Sequence, residues 1–257
     1  MKNGIDSGPT LWSLRPAGEH AGLRRAAQAA GLRLRVLSVQ RLAALAAHDD
    51  LAAALAADTR LYTSPAAVRF ALAQGASLRR PGVDMAVGAG TAAALRAAGV
   101  ESPLHPTRMD SEGLLALPAL SDGAGTALGF ITAPGGRGLL VPALRERGFR
   151  LCLAEVYARR SLNGGARQRA AFMGDPAAVL LLSSREAFDA LLFRLPKRQW
   201  PTPRALVASS TRLAEHAAAA GFLQCFVAAS PRPKDMVAAA FAAASYNGNA
   251  ALGRAED

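Results

Sequence analysis

Two stretches decide the fold: LWSLRPAGEHAGLRRAAQAAGLRLRVLSV at residues 11–39 and GFITAPGGRGLLVPALRERGFRLCLAEVY at residues 129–157. In each, an apolar segment leads through a turn into a helix pattern that stops at a glycine, and a second apolar segment follows. Gly31, which stops the first helix pattern, matches Gly148, 117 residues further on. The chain therefore carries one strand, helix and strand pattern twice.

Two more pairs of segments repeat in the same order. The Thr63-Ser64 turn before the helix pattern AAVRFAL returns 120 residues later as Ser183-Ser184 before EAFDALL. The segment MAVGAGTAAALRAAG, ending at Gly99, matches ALVASSTRLAEHAAAAG, ending at Gly221, a shift of 122. This period is too long for a solenoid. We expect two copies of one α/β unit, forming two like domains that face each other across a ligand-binding cleft.

Composition points to an anionic partner. The net charge is +11, and 27 of the 30 basic residues are arginine, whose guanidinium binds carboxylate or phosphate in a bidentate fashion. Nucleic acid is the usual partner of a protein with a pI near 11. The arginines are nevertheless scattered over helix faces, without a basic stripe or tail. We therefore favour a small polyanion over nucleic acid and expect no nucleic-acid partner.

Several protein classes are disfavoured by the sequence. Cys152 and Cys225 lie in separate apolar runs, which indicates buried thiols rather than a disulfide framework. The first ten residues lack the apolar stretch of a signal peptide, and no run approaches the ~20 apolar residues that span a bilayer. We expect a cytoplasmic protein without membrane contact, and a monomer by default.

The first half alternates strand and helix patterns. Strands are predicted at residues 11–14, 34–39, 60–63 and 85–87. Helices are predicted up to Gly31, over the Ala-rich residues 42–57, from Ser64-Pro65 and up to Gly99; serine at the N-cap with proline at the first helical position is a strong start signal. Because the second half repeats this cycle, we expect parallel sheets with helices on both faces.

The residues suited to binding a ligand follow the strands. In parallel sheets, ligands bind beyond the carboxyl ends of the strands, where the turns present backbone N–H groups to anions. The residues at these turns are Arg15, Thr63, Ser64, Gly88, Gly90, Thr91, Thr132, Gly135, Gly136, Ser183, Ser184, Ser209, Ser210 and Thr211. Taken singly, the serines and threonines are most simply helix caps. Taken together, they suit a ligand with several carboxylates.

Covalent and metal chemistry have no support in the sequence. No G-x-S-x-G motif is present, and Gly135-Gly136-Arg137-Gly138 lacks the Lys-Ser/Thr ending of a phosphate loop. The four histidines show no metal-ligand spacing and are expected at the surface; they are His20, His48, His105 and His216. Tyr157 lies in the extended segment AEVYARR and could donate a hydrogen bond to a departing oxygen, although a tyrosine in a strand more often serves packing.

Read together, the segments resemble the uroporphyrinogen-III synthase family. The matching segments are SLRPAGEHAGL, LYTSPAAVRFAL, AVGAGTAAALRAAG, DSEGLLALPAL, GGRGLLVPALRERG, AEVYAR, LLLSSREAFDALL, and LAEHAAAAGF leading to AASPRPKDMVAAA. They span nearly the whole chain in family order. No single motif is diagnostic, but the ordered set is.

The resemblance implies two flavodoxin-like, HemD-like α/β domains with parallel sheets, joined by a two-stranded antiparallel connector. On that pattern, residues 1–38 and 163–257 form one domain and residues 42–153 the other. Residues 36–41 and 154–160 would be the connecting strands. Because the chain crosses twice, neither copy of the repeat need be a domain by itself.

The resemblance also implies a reaction, a cyclising lyase (hydro-lyase) step of haem and sirohaem biosynthesis that needs no cofactor and no metal. The substrate would be hydroxymethylbilane, a linear tetrapyrrole with eight carboxylates, which loses water and closes with inversion of ring D to give uroporphyrinogen III. Unassisted closure would give the uninverted isomer, so the protein's main task would be to hold the chain in the reactive fold. Transient contact with the preceding pathway enzyme is a further expectation.

The family's functional positions carry over to this chain by motif. Tyr157 matches the tyrosine that assists departure of the hydroxide. The substrate-binding positions are Arg15, Thr63, Ser64, Gly88, Thr91, Gly135, Gly136, Ser183, Ser184, Ser209 and Ser210. This chain departs from the family where Ala133-Pro134 replaces the usual Arg-Gly before the double glycine, and where the Ser209-Ser210-Thr211 turn leaves the register of the hydroxyl open. Two alternatives remain: a non-catalytic anion- or tetrapyrrole-binding regulatory relative on the same fold, and nucleic-acid binding driven by charge.

Overall fold

The computed structural model forms two compact units. The residues it describes are 8–108, 111–135, 138–163, 165–195 and 205–252. Unit 1 comprises Met1–Arg41 and Arg160–Asp257, and unit 2 comprises Leu42–Arg159. The chain therefore leaves unit 1 once and returns to it once.

Short strands alternate with helices in both units. The strands are β1 (Thr10–Ser13), β2 (Arg33–Val36), β3 (Gln40–Ala44), β4 (Thr59–Tyr62), β5 (Val83–Ala86), β6 (Ala127–Thr132), β7 (Arg150–Glu155), β8 (Tyr157–Ser161), β9 (Ala178–Leu182), β10 (Ala205–Ala208) and β11 (Gln224–Val227). The helices are α1 (Ala21–Ala29), α2 (His48–Leu55), α3 (Pro65–Ala73), α4 (Ala89–Ala97), α5 (Ser111–Leu115), α6 (Leu140–Glu146), α7 (Ala166–Met173), α8 (Arg185–Arg194), α9 (Thr211–Ala219) and α10 (Pro233–Leu252), with a 3-10 turn at Pro118–Leu120.

Each unit is built on a parallel sheet, as predicted. The five-stranded sheet of unit 1 has the order β11-β10-β9-β1-β2, and the four-stranded sheet of unit 2 has the order β5-β4-β6-β7. If the sheet strands are numbered within each unit, both orders contain 2-1-3-4, the flavodoxin-like arrangement. The strand order reverses between β1 and β9 in unit 1, and between β4 and β6 in unit 2.

The sequence repeat corresponds to equivalent places in the two sheets. Leu11 lies beside Leu34 in unit 1, and Leu128 lies beside Leu151 in unit 2, each residue 117 positions later. By the same correspondence, β9 and β10 match β4 and β5. In unit 1 the β1–β2 pair comes first along the chain, whereas in unit 2 the matching β6–β7 pair comes second. Each copy of the repeat is thus divided between the two units.

The sheets are covered on both faces, which explains why central strands such as β6 and β9 are almost continuously apolar. In unit 2 one face packs Tyr62 and Ile131 against α2, α3 and α4, while the other packs Leu61 and Phe130 against α5 and α6. The sheet of unit 1 is enclosed in the same way by α7, α8 and α9 on one face and by α1 and α10 on the other.

The predicted helix over residues 42–57 is wrong in its first part. Residues 40–44 form β3, which pairs with β8 in a two-stranded sheet, and α2 begins only at His48. The pairing is antiparallel: Leu45 N–H donates to the Val156 carbonyl, and Leu162 N–H donates to the Val39 carbonyl. Alanine and leucine favour a helix locally, but hydrogen bonds to a distant strand override a propensity of a few tenths of a kcal/mol per residue.

The glycines that end two equivalent helices adopt the conformation their position demands. Gly31 after α1 has φ +67°, and Gly148 after α6 has φ +84°. A left-handed residue at this place closes the last helical turn, and glycine takes it without the strain that a Cβ would cause. The matched glycines of the repeat are therefore turn residues.

Candidate functional site

The carboxyl edge of the unit 2 sheet brings two threonine hydroxyls together where the strand order reverses. Thr63 follows β4 and Thr132 ends β6, and their Oγ1 atoms lie 2.9 Å apart. Thr63 N–H also donates to the Ile131 carbonyl at 3.1 Å. Ligands of doubly wound sheets bind at this reversal. Thr63 was a predicted binding residue; Thr132 is fully buried and supports it from the neighbouring strand.

Ser64 begins α3 as predicted from the Ser-Pro pair. Its backbone is extended (φ −162°), and its Oγ accepts a hydrogen bond from Ala67 N–H at 3.0 Å, with Pro65 at the first helical position. The cap places this hydroxyl at the amino end of a nine-residue helix, where partial positive charge collects.

Tyr157 joins this edge from β8. Its side chain is only 3% exposed, and its ring stacks on Phe70 with the centroids 5.3 Å apart. The phenol oxygen lies 3.0 Å from Ser64 Oγ. The packing that makes a strand tyrosine structural is thus present, and so is an oriented hydroxyl at the end of the sheet. A phenol held by a helix-capping serine can give up a proton while its oxygen gains a hydrogen bond.

A glutamine fixes the backbone just before Tyr157. Gln74 Nε2 donates to the Val156 carbonyl at 3.3 Å, and Gln74 Oε1 accepts from Ala47 N–H at 3.0 Å. Because Gln74 is the C-cap residue of α3, it links the end of that helix to the starts of β8 and α2. Sequence reasoning missed Gln74, since its partners are far away along the chain.

The remaining predicted binding residues of unit 2 could contact a ligand through backbone groups rather than through side chains. Gly88 is the N-cap of α4 in an extended conformation (φ −166°), and the Thr91 side chain is buried in the first turn of that helix. Gly135 is exposed and has φ +77° in the turn after β6. Gly136 lies outside the described residues. Gly88 and Gly135 thus stand at carboxyl-edge turns, while Thr91 lies in the interior.

The equivalent serines of unit 1 are not alike. Ser184 caps α8, and its Oγ accepts from Ala187 N–H at 3.3 Å. Ser210 is the N-cap residue of α9, but its side chain makes no capping hydrogen bond. Ser183 and Ser210 are exposed and Ser209 is half-buried. Because they follow β9 and β10, these serines lie at the carboxyl edge of the sheet. Capping, expected of each serine taken singly, accounts for Ser184 but not for Ser210.

Arg15 lies in the turn after β1, at the carboxyl edge of unit 1. Its guanidinium donates from Nη2 to the Pro231 carbonyl at 3.3 Å, which ties the turn to the loop after β11. Burial lowers the pKa of Arg15, an effect that the negative charge of Glu19 partly offsets. The group is nevertheless a cation, because an arginine ordinarily titrates far above neutral pH.

Two expectations about titratable side chains are wrong. His20 is not a surface residue: it is 5% exposed and hydrogen-bonded on both ring nitrogens, because the turn after β1 folds over it. Cys152 and Cys225 are half-buried rather than fully buried, since they lie on the edge strands β7 and β11. Burial raises the pKa of the Cys225 thiol.

Six of the 27 arginines line two depressions, one in each unit. Arg79, Arg80 and Arg96 line a depression of about 790 Å³ at the amino edge of the unit 2 sheet. In unit 1, three others line a smaller depression of about 450 Å³ beside Trp12; these are Arg24, Arg35 and Arg167. Neither depression includes the turn residues described above. Arg96 also lies in the last turn of α4, where a cation offsets the helix dipole.

The described residues form neither a metal-binding cluster nor a membrane-spanning helix. Within those ranges, no group of three or more His, Cys, Asp or Glu side chains could hold a metal ion. Of the helices that can be described, none has the length and apolar character needed to cross a membrane.

Comparison with known proteins gives one family. The family model for uroporphyrinogen-III synthase HemD matches residues 22–238. Among solved structures, a mutant uroporphyrinogen III synthase from the extremely thermophilic bacterium Thermus thermophilus superposes with a TM-score of 0.62 at 22% identity, covering 93% of this chain and all of that one. The uroporphyrinogen-III synthetase of Helicobacter pylori also superposes at 0.62, with 14% identity over 91% of this chain and 99% of that one. No curated protein matches the sequence significantly. At these identities the structures show the fold, and the match over most of the chain shows that it belongs to the uroporphyrinogen-III synthase HemD family.

Proposed function

We propose that the chain closes hydroxymethylbilane to uroporphyrinogen III, with Tyr157 as the proton donor to the departing hydroxyl. Membership of the HemD family makes the chain a cyclising lyase of tetrapyrrole biosynthesis. The observation that supports the residue assignment is the 3.0 Å contact between the Tyr157 phenol and Ser64 Oγ at the end of the unit 2 sheet.

The proposed first step breaks the bond between the terminal carbon of the substrate and its hydroxyl oxygen. The pyrrole nitrogen supplies the electron pair, and Tyr157 supplies the proton that turns the leaving group into water. Ser64 can then donate its hydrogen to the phenolate oxygen, while Ser64 Oγ goes on accepting from Ala67 N–H. The helix amino end thus helps to carry the negative charge that develops on Tyr157.

The carboxylates of the substrate are proposed to bind at the carboxyl-edge turns. Arg15 offers a guanidinium, and turns such as those at Gly88, Gly135 and Ser210 offer backbone N–H groups. The net charge of +11 favours approach of a substrate with eight carboxylates. Binding at several turns would fix the fold of the chain before ring D inverts, which is where the protein must differ from spontaneous closure.

The setting of the reaction is part of the same proposal. We expect the chain to work as a monomer in the cytoplasm, and to receive its unstable substrate directly from the enzyme that makes it. Sedimentation of the purified chain, alone and mixed with that enzyme, would test the monomeric state and the contact between the two proteins.

A coupled assay tests the function. Freshly generated hydroxymethylbilane is supplied to the purified chain, and the type I and type III isomers are separated after oxidation. We expect the type III isomer in large excess over the type I isomer that forms without enzyme. If only type I forms at the spontaneous rate, the proposed function is wrong.

A further inference from the structure

The buried histidine of unit 1 is held by two serine hydroxyls. His20 precedes α1, and its Nδ1 lies 2.9 Å from Ser13 Oγ while its Nε2 lies 2.9 Å from Ser38 Oγ. Ser13 is fully buried and Ser38 is half-buried. These three side chains come from the end of β1, the start of α1 and the segment after β2. They surround the turn that carries Arg15.

The partners of the serines settle where each hydrogen lies. Ser38 Oγ is 2.6 Å from the Arg15 carbonyl, and a carbonyl can only accept, so Ser38 must donate its one hydrogen there. Ser38 must therefore accept from His20, which places a hydrogen on Nε2. In neutral His20 the other nitrogen, Nδ1, then accepts from the Ser13 hydroxyl.

The chain of hydrogen bonds closes on Arg15 itself. Arg15 N–H points to Ser13 Oγ at 3.5 Å, a long contact that completes the ring. The ring therefore runs from the Arg15 N–H through Ser13, His20 and Ser38 back to the Arg15 carbonyl. The ring thus holds both the backbone N–H and the backbone carbonyl of Arg15. Every donor and acceptor in the ring has a partner only while His20 is neutral.

The surroundings of His20 also favour its neutral form. Burial foremost, and then the positive charges of Arg24 and Arg15, lower the pKa of His20, while Glu19 acts in the opposite direction. Arg15 and Glu19 come from the turn after β1, and Arg24 comes from α1. A second proton on His20 would turn Nδ1 into a donor and leave the Ser13 hydrogen without its acceptor.

We propose that His20 is a positioning residue: through Ser13 and Ser38 it holds the backbone of Arg15 so that the guanidinium is set for a substrate carboxylate. This rests on the proposed function, in which Arg15 binds the substrate. A buried histidine that only filled the core would not need both hydroxyl partners directed at one backbone. The second tie of Arg15, from its guanidinium to the Pro231 carbonyl, fixes the side chain as well.

A pair of substitutions separates positioning from general stability. Ser38→Ala removes the hydrogen donated to Arg15, and we expect the KM for hydroxymethylbilane to rise about tenfold, the factor that corresponds to one hydrogen bond, with kcat nearly unchanged. Ser38→Thr keeps the hydroxyl and should keep the KM. In an Arg15→Ala background, Ser38→Ala should raise the KM no further. Ser121→Ala is the matched control, because Ser121 also donates to a carbonyl, that of Pro118, at 2.7 Å.

The outcomes are distinguishable. Two results would show that the positioning role is wrong while the proposed function stands. In the first, Ser38→Ala raises the KM by the same factor in the unaltered chain and in the Arg15→Ala background. In the second, Arg15→Ala raises the KM but Ser38→Ala leaves the KM unchanged. If Arg15→Ala leaves the KM unchanged, Arg15 does not bind the substrate and this inference falls with that assignment.

The state of His20 can be measured without substrate. In the full chain labelled with ¹⁵N-histidine, we expect His20 to carry its hydrogen on Nε2 and to take up a second proton at a lower pH than an ordinary histidine does. A hydrogen on Nδ1 at neutral pH, or protonation at the pH of an ordinary histidine or above it, would overturn the ring. Assignment of the His20 signal uses its loss in His20→Gln.

Discussion

Equivalent positions in the two sheets hold a buried ion pair in one unit and two leucines in the other. In unit 2, Arg60 on β4 lies beside Asp84 on β5, and the guanidinium contacts both carboxylate oxygens at 2.8 and 3.0 Å. In unit 1, Leu180 on β9 lies beside Leu206 on β10, at shifts of 120 and 122 residues. The strand register is the same, and all four side chains are buried.

The comparison indicates that the fold requires two well-packed buried side chains at these positions, and that they need not be charged. Arg60 also donates to the carbonyls of Ala57 and Pro81, so its burial is compensated by hydrogen bonds. Even so, removing two charges from water costs about as much as their attraction returns, and apolar residues often do as well. Beside the pair, burial first and the charge of Asp84 second raise the pKa of Tyr62, which keeps this phenol neutral.

The largest expected effect comes from breaking the ion pair on one side. Asp84→Leu leaves the Arg60 charge buried without its partner and should lower the free energy of unfolding by about 3–5 kcal/mol. The double change Arg60→Leu with Asp84→Leu copies unit 1 and should recover most of that loss. Urea unfolding of both variants measures the difference. A double variant as unstable as the single one would show that unit 2 depends on the pair itself.

A second pair of equivalent positions carries side chains with different chemical groups in the two units. Tyr157 on β8 matches Gln40 on β3, 117 residues earlier; both are buried, and both contact the start of a helix. Gln40 Nε2 donates to Glu186 of α8 at 3.2 Å, whereas the Tyr157 phenol contacts Ser64 before α3. Of this pair, only Tyr157 offers a group that can release a proton. The proposed chemistry therefore belongs to unit 2.

Tyr157→Phe tests this asymmetry. It removes the phenol hydroxyl, keeps the ring that stacks on Phe70, and should reduce turnover about a hundredfold, the lower range for loss of a proton donor. The melting temperature should change little. Gln40→Leu is the matched change in unit 1 and should leave turnover close to that of the unaltered chain. Equal losses in the two variants would contradict a special role for Tyr157.

The two capping serines offer a smaller and finer test. Ser64→Ala and Ser184→Ala each remove a helix cap and should each cost about 1 kcal/mol of stability. Ser64→Ala should in addition lower turnover, because Ser64 contacts the Tyr157 phenol, while Ser184→Ala should affect stability more than turnover. Thermal unfolding and the isomer assay, applied to both variants, measure the two effects. The reverse ranking of turnover would place the reacting group in unit 1.

The smallest expected effect is a pH dependence in unit 1. Because the pKa of His20 is lowered in the folded chain, the unfolded chain binds a proton first as the pH falls below about 6.5. Stability should therefore be lost on acidification through that range and retained above it. The free energy of unfolding, measured with urea at a series of pH values, should therefore depend on pH differently in the unaltered chain and in His20→Gln over that range. The same pH dependence in both proteins would contradict this linkage.

Much of the fold and part of the site could be predicted from the sequence. The period of the repeat, the apolar strands and the helix stops at Gly31 and Gly148 predicted two parallel α/β sheets, and the ordered motifs predicted the family; both predictions are confirmed. The Ser64 cap was readable because serine followed by proline is a local signal. Local patterns carry this information, since periodicity and capping depend on residues only a few positions apart.

Other features depend on contacts between distant residues. Residues 42–44 were predicted to be helical and form a strand because β8, more than a hundred residues later, supplies the hydrogen bonds. His20 was expected at the surface and is enclosed because Ser13 and Ser38 approach it from two other segments. No local pattern encodes such an approach.

The sequence by itself determined the two-fold repeat, the class of sheet and the turns at which the proposed binding residues lie, because these follow from spacing along the chain. Only the tertiary structure decided which hydroxyls meet: Thr63 with Thr132, and Ser64 with Tyr157. The physical reason is that hydrogen bonds form over about 3 Å, whereas these partners are separated by many residues of chain and are brought together by sheet register.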